Sequence, residues 1–156
     1  MKANELMIGD WVKTTSDWPE RYQNKITRVR GLCDENGQID CDLTEPNGAY
    51  VWSDDEDSFE PIPLTAEILE KNGLRKVTLD GEKGSKQDYY IDTHFVGYYN
   101  MDALTRVHAS PIVYDIKQKW LFVDDKQICR IELMCPYVHT LQHALRLCGI
   151  DKEIVL

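Results

Sequence analysis

The stretch EPIPLTAEILEKNGL, Glu60 to Leu74, decides how this chain is organised. Pro61 and Pro63 remove backbone donors, so a central strand cannot run through them. Thr65 follows as an N-cap, Glu67 stands one residue short of the ideal capping-box position, and Ile68 and Leu69 supply an apolar face. Asn72-Gly73 then stops the helix, because glycine takes the left-handed conformation beyond a helix end without steric cost. The pattern predicts a short helix from Ala66 to Lys71 or Asn72, with a change of architecture across it.

Upstream the chain reads as short strands. DWVKT (Asp10 to Thr14), NKITRVRGL (Asn24 to Leu32), GQIDCDL (Gly37 to Leu43), AYVWS (Ala49 to Ser53) and FEPIPL (Phe59 to Leu64) are rich in β-formers, and several alternate apolar with polar residues. DENG, EPNG and SDDEDS between them carry the Asp, Asn, Gly and Pro that turns use. Ile26 and Val29 break strict alternation, which predicts a bulge in that strand. Five short strands in residues 1–63 predict a small antiparallel β-barrel of the SH3-like class, entered through IGDWV, since closure removes exposed sheet edges.

Downstream, residues 64–156 read as an α+β part. RKVTLDG, DYYIDTHFVGYY, SPIVYDI, KWLFVD and QICRIELM are strand-like; VTLDGEKGSKQDYYID predicts a hairpin with a glycine-lysine tip, and DIKQKWLFV a second one turning at Lys117 to Lys119. MDALTRVH is read as a short helical or irregular crossing, and Asp124-Asp125 as a hairpin turn. A final helix is expected in PYVHTLQHALRLCGID, Pro136 to Asp151. On a 3.6-residue wheel Leu141, Leu145 and Cys148 cluster, Val138 and Ala144 flank them, and His139, His143 and Arg146 fall on another face, exposed or against a neighbouring element. The expected fold is therefore α+β, with domains 1–63 and 64–156; one continuous domain is the alternative.

Composition narrows the classes of function. With 156 residues and 42% hydrophobic content the chain can bury a core. Its longest apolar runs, such as Trp120 to Val123, are far short of the roughly 20 residues that cross a bilayer, so no membrane partner is expected. Glu5 and Asp10 interrupt the start before any signal-peptide core could form, and a cytoplasmic location is expected. Cys33, Cys41, Cys129, Cys135 and Cys148 are odd in number and contain no CxxC pair, which fits reduced thiols in the core or at the surface. The net charge of −9 lies mostly in residues 1–63, with 6 Lys/Arg against 14 Asp/Glu. No segment clusters the cations that a phosphate backbone requires, and no direct nucleic-acid partner is expected.

Three stretches, NELMIGDWV, EPIPLTAEILEKNGL and YVHTLQHALRLCGI, occur in an order that resembles a group of small proteins from Bacteroides-type bacteria, their prophages and mobile elements. The group's pattern runs roughly ELRIGN, PIPLTEEIL-KNGF and YVHQLQN. The resemblance implies a bacterial cytoplasmic setting and a role in mobile-element biology, and it carries no activity or catalytic residue. Tyr137, Val138, His139, Leu141 and Gln142 match the last motif, whereas Asp10 and His143 stand where the pattern has Asn.

His139 and His143, four apart on a helix, could direct two imidazoles at one metal ion. The intervening T-L-Q lacks a metalloprotease glutamate, and a third ligand would have to come from His94, His108 or Cys135; the plainer reading is a solvated or interface-packed pair. DGEKGSK lacks the Walker spacing, and SDDEDS lacks the glycine and distal glutamate of an EF-hand. No cofactor is expected.

The aromatics Trp11, Trp18, Tyr22, Tyr50, Trp52, Tyr89, Tyr90, Tyr98 and Tyr99 are mostly expected in the core, but some suit an interface. A groove using Trp18 and Trp52, flanked by Asp17 and by the acidic run Asp54, Asp55, Glu56 and Asp57, favours a basic or proline-rich protein partner. His139 and Gln142 would add a polar peptide contact. The sequence thus favours a non-enzymatic, protein-binding accessory protein. Its alternatives are a small hydrolase using His139, His143 and a distant Cys or Asp, with or without a metal, and an acidic mimic of DNA.

Overall fold

A computed structural model describes residues 5–33, 37–53, 56–80, 85–92, 112–125, 129–150 and 152–156. The chain forms two compact units, Met1–Pro63 with Tyr137–His139, and Leu64–Pro136 with Thr140–Leu156.

In the first unit β1 (Trp11–Thr14), β2 (Ile26–Cys33), β3 (Gln38–Thr44), β4 (Tyr50–Ser53) and β5 (Phe59–Pro61) make one antiparallel sheet in the order β4-β3-β2-β1-β5. Alternation puts Val12, Val29, Ile39, Cys41, Val51 and Phe59 into a core that Leu6, Trp18 and Tyr22 complete. The expected SH3-like barrel is not found: the sheet is open, with β4 and β5 at its two edges. β5 is three residues long and ends at Pro61, which has no N–H to donate to a further strand, and β4 pairs with β3 alone. The expected irregularity in β2 is present, as a register shift between Val29 and Gly31 opposite β3.

Within the NELMIGDWV stretch, Met7 to Asp10 make a turn. Asp10 is buried, its N–H donates to the Met7 carbonyl (3.1 Å), and its carboxylate accepts from the Met7 N–H (2.8 Å). Gly9 N–H and Asp10 C=O then engage Val29, at 2.7 and 2.9 Å, which aligns the entry to β1 beside β2. At the other end of this unit Tyr137 forms an isolated antiparallel bridge with Pro63, and the Val138 N–H donates to the Ile62 carbonyl (2.9 Å).

In the second unit α1 (Ala66–Lys71) has the expected bounds, with Thr65 Oγ1 accepting from the Ile68 N–H at 3.3 Å and Gly73 at φ 81° past the cap. Five strands follow: β6 (Leu74–Asp80), β7 (Lys86–Asp92), β8 (Ile112–Asp115), β9 (Trp120–Asp125) and β10 (Cys129–Met134). They pair antiparallel in the order β10-β9-β8-β7-β6. Both expected hairpins are formed, Asp80 opposite Lys86 and Asp115 opposite Trp120. Asp124 and Asp125, read from sequence as a turn, lie within β9 opposite Arg130 and Cys129, because the ladder continues to the strand end. The expected crossing over residues 101–108 lies outside the described residues.

The last helix, α2 (Val138–Leu147), buries Val138, Leu141, Ala144 and Leu145, with Cys148 just beyond it. Burial of each leucine is worth about 1.5–3 kcal/mol. The helix ends in a Schellman arrangement: Gly149, at φ 68°, donates to the Arg146 carbonyl (3.0 Å), and the Ile150 N–H to that of Leu145 (2.9 Å). Among the described residues no helix is long and apolar enough to cross a membrane.

Candidate functional site

Trp18 and Trp52 do not share a groove. Trp18 is a core residue, 6% exposed, with edge-on contacts to Tyr22 (6.1 Å) and Phe59 (5.4 Å) and an indole N–H that donates to the Ser58 carbonyl at 2.6 Å. The pattern around Trp18 does not show this, because Ser58 and Phe59 lie far along the chain. Trp52 points the other way: it is 54% exposed on β4, beside Tyr50 at 50%.

Around Tyr50 and Trp52 the outward face of the first sheet carries an ordered set of side chains. Arg30 lies over the Tyr50 ring, its guanidinium carbon 3.6 Å from the centroid, and pairs with Asp42 at 3.5 Å. Asp40 stands opposite Trp52 in the β3–β4 register. One strand further, Arg28 covers Trp11 at 4.4 Å, with Trp11 and Arg28 directly opposite in β1 and β2. Such cation–π pairs hold long arginine side chains in one place, which lowers the entropy lost when a partner binds.

The acidic run is only partly visible. Asp54 and Asp55 lie outside the described residues; Glu56 begins a 3-10 turn, Glu56–Ser58, and Asp57 is exposed with its carbonyl accepting from Thr15 Oγ1 at 2.9 Å. The Ser53 and Ser58 hydroxyls, on either side of the run, meet at 2.6 Å.

His139 is buried, its ring stacked on Tyr137 at 5.7 Å and 11° between planes, and Gln142 is buried as well, so neither offers surface to a partner. The wheel put His139 off the core face, exposed or against a neighbouring element, and the stack on Tyr137 is such a contact. His143 is half-buried. No group of three or more His, Cys, Asp or Glu side chains is placed to hold a metal ion among the described residues, and His94 and His108 lie outside them. Cys135 is poorly suited as a nucleophile: burial, only partly offset by the Thr140 hydroxyl at 3.3 Å, pushes its thiol up to about 11.

A second feature escaped the sequence reading. The second sheet carries a cleft of about 400 Å³ lined by Gln87, Tyr89, Val113, Asp115, Gln118, Trp120 and Phe122. Tyr89, Asp115 and Trp120 stand in one cross-strand row over β7, β8 and β9, and Val113 faces Phe122 in the next. Asp115 is buried; its Oδ1 accepts from the N–H groups of Lys117 (2.9 Å) and Gln118 (3.0 Å), and its Oδ2 from the Gln87 amide. Burial, and then the Asp115 charge, raise the Tyr89 phenol above its ordinary value. Only strand register brings these residues together, which is why no local motif announced them.

No family model, curated protein or solved structure matches this chain.

Proposed function

We propose that this chain is a non-enzymatic protein-binding module, an accessory protein of the bacterial cytoplasm in a prophage or mobile-element setting, as its three motif stretches imply. The outward face of the first sheet is its contact surface, and Trp18, His139 and Gln142 have no part in it. The observation that carries this reading is the pair Tyr50 and Trp52, each at least half exposed on edge strand β4, beside an Arg30 already held by Tyr50 and Asp42. Tyr, Trp and Arg are the residue types that dominate binding energy at protein interfaces, because large rigid rings bury much area at small entropic cost. β4 also leaves one side of its backbone for an added strand from a partner. The excess of 14 acidic over 6 basic residues in 1–63 favours a basic partner segment and faster encounter with it.

The test is site-directed photo-cross-linking in the source bacterium, with a photoreactive phenylalanine analogue at position 52 and, as control, at exposed Glu67 of α1. A discrete protein adduct from position 52 alone, lost in competition with wild-type chain but not with the Tyr50→Ala/Trp52→Ala variant, is expected. Equal adducts from both positions, or full competition by the double variant, would overturn the reading.

A further inference from the structure

We infer that the cleft on the second sheet binds a methylated ammonium cation. Four observations converge on that ligand. First, Asp115 is only 6% exposed and makes no ion pair among the described residues; the adjoining turn lysines, Lys117 and Lys119, do not reach it. A buried carboxylate without a counter-charge favours a cation brought from outside.

Second, the row Tyr89–Asp115–Trp120 sets an aromatic ring on each side of that charge, with Phe122 adding a third in the next row. Directly opposed side chains on one sheet face lie about 5 Å apart at Cβ, so the rings and the carboxylate address one small volume. Ring faces attract a cation through their quadrupole, most strongly where water is excluded.

Third, two of the cleft's donors are already engaged. The Gln87 amide donates to Asp115, and the Trp120 indole N–H donates to Glu132 at 3.0 Å, leaving the face of the indole rather than its edge for a ligand. With the Asp115 carboxylate in the lining, a carboxylate or phosphate ligand meets a like charge.

Fourth, Asp115 has few lone pairs left. Two backbone N–H groups take Oδ1 and the Gln87 amide takes one position on Oδ2. A guanidinium or a primary ammonium needs several acceptors, whereas a tri- or tetramethylated nitrogen needs none and responds to field and ring faces alone. The methylated nitrogen has two sources, a free small molecule of the choline class or a methylated lysine side chain. Because every lining residue belongs to the second unit, the site stands or falls apart from the protein-binding reading.

The experiment is an NMR titration of the full chain, following the indole N–H of Trp120 and, in every variant, the backbone amides of Lys117 and Gln118 that meet Asp115. Its probes are tetramethylammonium, choline, the neutral choline isostere 3,3-dimethylbutan-1-ol, and a short peptide carrying trimethyllysine. Saturable shifts at Trp120 are expected with the cations, which should bind roughly tenfold or more tightly than the neutral isostere. Asp115→Asn keeps an oxygen for the Lys117 and Gln118 N–H groups and should abolish that preference; Trp120→Leu, at an exposed position, should weaken all the cations while Asp115 stays in place. Tighter binding of choline or of the peptide identifies the source, and equal binding supports the shared head group. Equal affinity for charged and neutral probes, a preference that survives Asp115→Asn, or no shift up to roughly 50 mM would overturn the assignment.

Discussion

The side-chain amide of Asn72 closes two hydrogen bonds on the backbone of Val155, donating from Nδ2 to its carbonyl at 2.8 Å and accepting from its N–H at 2.9 Å. The same Nδ2 donates to the Ile68 carbonyl at 2.7 Å, so one buried residue caps α1 and clamps residues 152–156 beside it. Ile154, 1% exposed, is held in the core next to the clamp. Asn72→Ala removes three part-buried hydrogen bonds, two of them to the Val155 backbone, while the Ile68 carbonyl keeps the residue 72 N–H; a loss of about 1–3 kcal/mol in unfolding free energy is expected. Hydrogen exchange at the Val155 amide should accelerate more than at core strand amides; an unchanged Val155 rate would show that the clamp is not held in solution.

Trp18 and Trp52 should respond in opposite ways to the same truncation. Trp18→Ala removes two aromatic contacts and the bond to the Ser58 carbonyl and should cost about 3–5 kcal/mol. Trp52→Ala should stay within about 0.5 kcal/mol of wild type, as surface changes do, while competing less well than wild type for the position 52 adduct. Urea unfolding of the two variants side by side checks both.

Gly149 carries the end of α2 in a conformation that an L side chain adopts only with strain. Gly149→Ala should lower stability by about 1 kcal/mol through strain at φ 68° rather than through lost packing. Gly149→Asn, better tolerated there, should recover part of the loss in thermal melts.

Alkaline pH should weaken the second unit through Cys135. Its folded value, about 11, lies above the ordinary 9.0, so the folded state prefers the neutral thiol. The stabilisation is complete below about pH 9 and is lost as pH rises through about 11. The Tyr114 phenol, raised chiefly by burial and hydrogen-bonded to the Cys135 carbonyl at 2.9 Å, pushes in the same direction. The difference in Tm between wild type and Cys135→Ala should shrink as pH climbs across that window; a constant difference would remove Cys135 as the cause. In native alkylation read by mass spectrometry, exposed Cys33 should react well before Cys41, Cys135 and Cys148.

Local signals decided the elements of this protein, and long-range pairing decided what they became. Thr65, Asn72 and Gly73 set the bounds of α1 through contacts within a few residues, and Gly149 set the end of α2 in the same way. Alternation of Val12, Ile39 and Cys41 marked which strand face is buried. Closure of the first sheet could not be read, because an open edge at Pro61 and a closed barrel use the same five strands and differ only in whether β4 and β5 meet. The fates of Trp18 and Trp52 were equally illegible: both are tryptophans near acidic residues, and only Ser58, Tyr22 and Phe59 draw one of them inward. The row Tyr89–Asp115–Trp120 joins the β8–β9 hairpin to β7 through the longer-range β7–β8 pairing, so its residues become neighbours only when the sheet has formed.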